Sequence, residues 1–563
     1  MTLASLNAAA LILGAANLLS RILGMFRNRL LAGHFGASRD LDIYLAAFQI
    51  PDFLFVVFLI GAASAAIIPV FLEQKENDGV SARLFIYRLL IVFSAVALVL
   101  SVGVAVLAPV FIPFVTPGFT PAERTTVVTL ARIMMVSPVF LGLSGIIAAV
   151  MQAEGKFVVF ALSPVFYNIG IIAGILLLFP LFRLPGLAAG VVLGAMLHCA
   201  IQIPTFLRLG FSPFIALSAL KKWRSTLNAS VRRVAALSIP RVVALSVSQA
   251  TFIALIAFAS RLDTGSISVF QFAFDLHSLP IGIFGISFAV AAYPALCDAA
   301  RAADARQFMA ILRRSVSAML FWIIPLAVFT FILRLHIVRL ILGAGRFGPD
   351  DIRLTAATLS IFASAIVFEP IRVLLIRAFY AVGNTRKPLL ISIAGSAATI
   401  AGTFLFVPFF ANRAGLGTRL AVGFFGITGV TRAEIIGLAL SFSVGLLLQT
   451  AVMALAFAKE ANRRFSANIV FHPNGHAAKI ILATIAGGLA SISVLRIAAL
   501  FYPSETFGAI LIQGITSFSA GFSIYTGILY LWGDQNARQL ISLIRHKKWI
   551  ATRLPREQNH FHR

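Results

Sequence analysis

Three arginines stand inside an apolar segment near the start of the chain. Leu3 to Leu31 reads LASLNAAALILGAANLLSRILGMFRNRLL, which is long enough to cross a bilayer. Arg21 lies well inside it, and Arg27 and Arg29 follow about two turns later. An arginine at membrane depth costs at least ~2.5–3.5 kcal/mol on insertion scales, so it normally faces a bundle interior or a watery cavity. An anionic substrate is the obvious reason to keep several, because the guanidinium fork grips phosphate on two sides. Arg27 and Arg29 also have a plainer reading as residues that snorkel to the interface, but Arg21 lies too deep for that. Six residues separate Arg21 from Arg27, which leaves them about 120° apart on an ideal helix. A bend at Gly24 would bring them together.

The rest of the chain must position these cations. Of 563 residues, 60% are hydrophobic and 12% are charged, with a mean hydropathy of +0.96. A soluble domain carries about 25% charged residues, so this is a polytopic membrane protein. The apolar runs are too long and too little alternated for a β-barrel. The fold class expected is all-α, with about fourteen spans near 5–32, 41–72, 86–113, 124–152, 157–181, 185–209, 234–260, 267–296, 314–342, 352–381, 386–411, 433–458, 476–501 and 507–532. The first segment lacks a small-residue cleavage site and reads as a retained helix.

A net charge of +26 is distributed unevenly. An even number of spans puts both termini on one side. That side then holds Lys75, Arg83, Arg88, Lys221, Lys222, Arg224, Arg232, Arg233, Arg301, Arg306, Arg313, Arg314, Arg386, Lys387, Arg463, Arg464 and the tail RHKKWIATRLPR. The opposite loops hold fewer. Both termini are therefore expected in the cytoplasm. The basic tail suits anionic lipid headgroups, and a nucleic-acid role for it is the weaker reading. Cys199 and Cys297 match no metal or disulfide spacing and read as inert thiols. No metal site or cofactor motif is expected. No Walker loop is present, and no nucleophile or carboxylate constellation argues for an enzyme.

The chain repeats itself. Gly118-Phe119-Thr120-Pro121-Ala122-Glu123 resembles Arg346-Phe347-Gly348-Pro349-Asp350-Asp351 at an offset of 228 residues. Met151-Gln152-Ala153-Glu154-Gly155-Lys156 resembles Phe379-Tyr380-Ala381-Val382-Gly383-Asn384 at the same offset. AAIIPVFLEQ at Ala65–Gln74 has its counterpart in VAAYPALCDA at Val290–Ala299. Six helices thus occur twice in the same order, followed by two more. The implied organisation is an N-terminal lobe over 1–220, a C-terminal lobe over 221–460, two further helices within 461–535 and a basic cytoplasmic tail over 536–563. An even number of helices per copy gives a parallel repeat about an axis along the membrane normal. Such a pair encloses a central cavity, and rocking of the lobes alternates access to it.

Particular residues then narrow the class. Ser20-Arg21-Ile22-Leu23-Gly24, Phe26-Arg27, Phe35-Gly36-Ala37, Asp42-Ile43-Tyr44, Ala47-Phe48, Pro51, Phe58, Gly61-Ala62 and Pro69 resemble the opening of the MurJ (MviN) lipid II flippases. These belong to the multidrug/oligosaccharidyl-lipid/polysaccharide exporter superfamily. Pro240-Arg241 with Ser248-Gln249, Phe284-Gly285-Ile286, Gly345-Arg346-Phe347, Arg377-Ala378-Phe379-Tyr380-Ala381 and Gly383-Asn384-Thr385-Arg386-Lys387-Pro388 continue the resemblance. It implies movement of an undecaprenyl-pyrophosphate-linked disaccharide-peptide from the inner to the outer leaflet of a bacterial plasma membrane. The implied partners are this lipid-linked anion, membrane lipids and, as candidates, cell-wall synthesis proteins.

Arg21 and Arg27 match the family's first-helix arginines, and Asp42 matches its acidic residue at the start of the second helix. Asp42 also reads simply as a helix-start carboxylate favoured by the dipole. The chain departs from the usual pattern elsewhere. Asn28 replaces a frequent acid, Phe55-Val56 a basic pair, Ile60 another acid, and Asp275 an arginine. Arg241, Arg372 and Arg377 are the candidate replacement cations, and Glu369 stands where it can pair with Arg372. Gly24, Gly61 and Gly285 read as hinges or as close-packing sites between helices. Leu237–Ala259 and Leu389–Phe410 contain no Asp or Glu, which argues against the sodium site of some relatives. A small-molecule antiporter of the drug-exporting branch, another polyprenyl-linked sugar as substrate, and a non-transporting envelope scaffold are the competing readings.

Overall fold

A computed structural model describes residues 3–56, 64–77, 79–211, 229–412, 415–425, 432–465, 475–503 and 506–545. Among these there is no strand. Eleven helices are long and apolar enough to cross a membrane. They are α4 (Gly79–Val115), α5 (Pro121–Ala153), α6 (Phe157–Phe182), α7 (Leu184–Arg208), α9 (Ser266–Arg301), α10 (Ala305–Ile332), α12 (Pro349–Ala381), α13 (Arg386–Ala411), α15 (Glu434–Phe465), α16 (Gly475–Phe501) and α17 (Phe507–Leu531). Three further stretches of helix fall where the remaining spans are expected. They are α1 (Leu3–Phe35), the pair α2 (Arg39–Leu54) and α3 (Ser64–Asn77), and α8 (Ala229–Ser260). Short helices α11 (Arg334–Leu342) and α14 (Leu416–Phe425) lie in connections, and α18 (Gln535–Arg545) follows the last span. The all-α, fourteen-span expectation is met.

The internal repeat is a pair of helix boundaries. Thr120 caps α5 by accepting from the Glu123 amide, and the Glu123 carboxylate accepts in return from the Thr120 amide, with Pro121 in the first turn. The second copy starts α12 with Pro349, Asp350 and Asp351 in its first turn. The other repeated motif ends a helix. Gly155 and Gly383 adopt positive φ of 69° and 82°, which glycine tolerates without cost to a side chain. In each, the next amide reaches back six residues inclusive: Lys156 to the Met151 carbonyl at 2.8 Å and Asn384 to the Phe379 carbonyl at 2.9 Å. Turn chemistry, being local, survives where the intervening apolar residues have drifted.

The chain forms two compact units, each interrupted in sequence. One contains Met1–Leu279, Ile337–Ala365 and Thr385–Val452, and the other Pro280–His336, Ile366–Asn384 and Met453–Arg563. In the first unit α6 and α7 approach to backbone contact. A Cβ on Gly170 would stand 2.3 Å from Gly194 Cα, and one on Gly174 would stand 2.4 Å from Gly190 Cα. Small residues at four-residue spacing permit this approach where lipid gives no hydrophobic drive. The core of this unit joins Leu31, Leu41, Tyr44, Leu130, Phe270, Phe272 and Phe362. In the second unit Phe321, Ile480, Ala483, Tyr525 and Leu529 pack together, and the Tyr525 hydroxyl donates to the Phe321 carbonyl at 2.6 Å. Large apolar side chains such as Phe114, Leu181 and Leu500 are left exposed, as a lipid-facing surface requires.

Candidate functional site

The first unit gathers a polar cluster from helices that are apolar nearly everywhere else. Arg27 of α1 is half-buried. Its Nε and Nη2 donate to Asn28 Oδ1 at 3.2 and 3.0 Å, and Nη1 donates to Asn168 Oδ1 of α6 at 3.3 Å. Asn168 in turn donates to the Ser20 carbonyl at 3.2 Å and the Ser20 hydroxyl at 3.3 Å. Both partners that hold the guanidinium are neutral amides. Neutral acceptors offer neither the charge nor the two-oxygen fork of a carboxylate, so they yield more readily to an incoming anion. Gly24 lies on this face, its nearest neighbour being Asn168 Oδ1 at 3.8 Å from a notional Cβ.

Arg21 sits six residues earlier, about 1.7 turns, and is half-buried. Among the described residues it makes no hydrogen bond and no ion pair. Arg29 Nη1 donates to the Leu340 carbonyl at 2.7 Å. α1 is a single helix, Leu3–Phe35, through Gly24.

The cluster continues into α9. Asn28 Nδ2 donates to Asp275 Oδ2 at 3.0 Å, although 247 residues separate them. Gln271 donates to Asp275 Oδ1 at 2.9 Å, and Gln49 of α2 donates to Gln271 Oε1 at 3.4 Å. Asp52 of α2 accepts from Gln249 of α8 at 3.1 Å. Asp275 and Asp52 are both half-buried, so each keeps an accessible side. The amides Asn168, Gln49 and Gln271 escape sequence reasoning because single amides in apolar helices look like ordinary packing. Their only signal is membrane depth, where a polar group needs a partner.

Asp42 occupies a different place. It is 1% exposed and accepts from the Gly265 amide at 2.6 Å, the Ser268 amide at 2.8 Å and the Ser268 hydroxyl at 2.7 Å. It therefore clasps the start of α9 to α2, which is more than its own helix dipole would ask of it. Gly265 has φ +87°, and a Cβ there would stand 2.2 Å from the Ala37 carbonyl. Nearby, Asp351 accepts from the Ala37 amide at 3.2 Å and pairs with Arg432 at 2.8 Å, while Arg432 also donates to the Thr264 carbonyl at 2.9 Å.

The remaining candidates lie elsewhere. Arg372 in the second unit pairs with Glu369 at 3.7 Å, the closed intrahelical pair anticipated as its plainer reading. Arg377 is half-buried on the same helix and is engaged with its neighbours. The Arg241 side chain and Gly61 lie outside the described residues. At Gly285 a Cβ would approach Pro370 Cγ to 2.5 Å, so this glycine serves close packing of α9 on α12. It also ends a single π-helical turn, Ile281–Gly285. His198 is a packed polar residue hydrogen-bonded to Ser144 at 2.6 Å. No group of three or more metal-ligating side chains occurs among the described residues.

The fold is that of a polytopic all-α membrane protein with many apolar spans. The fold matches a structure described as "Inward-facing conformation of a multidrug resistance MATE family transporter of the MOP superfamily" with a TM-score of 0.62 at 12% identity, over 80% of this chain and 96% of that one. It matches "Lipid II flippase MurJ, inward closed conformation" with a TM-score of 0.70 at 22% identity, over 94% of this chain and 100% of that one.

Residues 31–428 match the family described as lipid II flippase MurJ, and the chain belongs to that family. Lipid II flippase MurJ of Burkholderia cenocepacia is 27% identical over 420 residues, 74% of this chain and 81% of that protein. Probable lipid II flippase MurJ of Haemophilus influenzae is 29% identical over 415 residues, 70% of this chain and 79% of that protein. The matched range begins after Arg27, so the first-helix arginines rest on their own geometry.

Proposed function

We propose that this protein moves a polyprenyl-pyrophosphate-linked peptidoglycan precursor, lipid II, between the leaflets of a bacterial plasma membrane. It does so by alternating access of the lobes 1–220 and 221–460, with both termini in the cytoplasm, and it catalyses no covalent step. The observation that carries the reading is the state of the first-helix arginines. Arg27 is oriented by two neutral amides, and Arg21 is without a partner among the described residues. A pair of guanidinium groups kept in apolar surroundings without a carboxylate on either suits an incoming pyrophosphate. Membership of the MurJ family supports lipid II as the cargo.

In this scheme Asp42 does not touch the substrate. It holds α2 to α9 in the state described. Asp275, where the family more often has arginine, favours a second reading in which the cargo is another polyprenyl-linked oligosaccharide. Complementation of a flippase-depleted bacterium tests the assignment. Rescue by the wild-type chain and loss of rescue in Arg21→Ala and Arg27→Ala at equal protein level are expected. Failure of the wild-type chain to rescue, with the protein present in the membrane, would overturn it.

A further inference from the structure

Two of the positions at which this chain departs from the usual family residues touch each other. Asn28 stands where an acid is frequent, Asp275 where an arginine is frequent, and the Asn28 amide donates to the Asp275 carboxylate at 3.0 Å. The consequence lies with Arg27, whose Nε and Nη2 meet the Asn28 carbonyl oxygen. An aspartate at position 28 would place a carboxylate directly on that guanidinium. Here the order is guanidinium, amide oxygen, amide nitrogen, carboxylate, so opposite charges sit at the two ends of one side-chain amide. Gln271 anchors the far oxygen of Asp275 at 2.9 Å, and Gln49 holds Gln271 from α2. Both charged ends keep an accessible side, because Arg27 and Asp275 are only half-buried, while Asn28 between them is 9% exposed.

We propose that Asp275 is a built-in counter-anion for Arg27, held one amide away by Asn28, which a phosphate of the substrate displaces in effect and which thereby sets how tightly the anionic headgroup is held. This rests on the pyrophosphate reading above and adds to it a specificity-determining residue on α9. The spacer has a physical purpose. A direct guanidinium–carboxylate fork in a low-dielectric site is strong and competes with any incoming anion. A guanidinium held by amide oxygens keeps its fork available, while the offset carboxylate limits the affinity so that the cargo can leave. Retention without release would stop transport as surely as failure to bind.

The test uses the full-length protein in detergent with undecaprenyl pyrophosphate as probe and undecaprenol as the uncharged control, both measured by native mass spectrometry. Asp275→Asn removes the counter-anion and is expected to tighten pyrophosphate binding about tenfold, equivalent to ~1.4 kcal/mol. It should leave undecaprenol binding unchanged. Arg27→Ala in the same background should abolish that gain. The double exchange Asn28→Asp with Asp275→Asn preserves net charge and the hydrogen bond, with its direction reversed, but moves the carboxylate onto Arg27. It is expected to weaken pyrophosphate binding at least tenfold relative to wild type, so charge position and not total charge is read out. Wild-type affinity in Asp275→Asn or in the double exchange, with Arg27→Ala still weakening binding, overturns the counter-anion and leaves the pyrophosphate reading standing. A tightening in Asp275→Asn that persists without Arg27 also overturns it. Unchanged binding in Arg27→Ala itself overturns the pyrophosphate reading instead.

Discussion

Asp42→Asn is the most informative single substitution for the conformational half of the account. The carboxylate takes three hydrogen bonds, two from Ser268 through one oxygen and one from the Gly265 amide through the other. An asparagine at this position can keep its oxygen toward Ser268 and must then turn its NH2 toward the Gly265 N–H, donor against donor. Hydrogen bonds to charged groups contribute about 1.5–3 kcal/mol each, and a stranded buried donor costs about 1–3 kcal/mol. A net loss of roughly 3 kcal/mol is reasonable, which at 1.4 kcal/mol per tenfold is roughly a hundredfold shift toward release of α9 from α2. Ser266, fully buried beside this contact, provides the reporter. With Cys199 and Cys297 replaced by serine, Ser266→Cys should react slowly with a membrane-impermeant maleimide applied to the side opposite the basic loops. Adding Asp42→Asn should accelerate the reaction toward a hundredfold. An unchanged rate in folded protein would show that Asp42 is only a helix-start carboxylate and that the clasp has no conformational role.

Other consequences are simpler to read. Gly285→Ala forces a Cβ against Pro370 and should lower stability by roughly 1–3 kcal/mol, visible as a lower thermal midpoint; normal stability with lost transport would make it a hinge instead. Gly415→Cys should label only from outside the cell and Ser230→Cys only from inside, and the reverse pattern would invert the topology. Arg241→Ala, Arg372→Ala and Arg377→Ala should each weaken binding of the lipid-linked substrate, and unchanged binding in all three would remove them as replacement cations.

Much of the fold was legible in the sequence because apolar length and turn chemistry are local properties. The Thr120–Glu123 cap and the Gly155 and Gly383 helix ends carry the repeat on a few residues each. The site was legible only in part. Arg27 was identified by its depth, yet nothing in its neighbourhood announces Asn168, which lies 141 residues away in sequence. The departures at Asn28 and Asp275 were visible one by one, but their contact is a property of packing. Asp42 reads from the sequence as a helix-start carboxylate, whereas its donors are Gly265 and Ser268, more than 220 residues distant.

The central claim is that first-helix guanidinium groups carry a pyrophosphate across the bilayer. Reconstitution into proteoliposomes with fluorescent lipid II, followed by quenching of the outer leaflet from the bulk phase, measures the transfer itself. The wild-type chain should move lipid II between leaflets, and the Arg21→Ala, Arg27→Ala double mutant should not, at equal incorporation. Transfer by the double mutant at the wild-type rate would contradict the account.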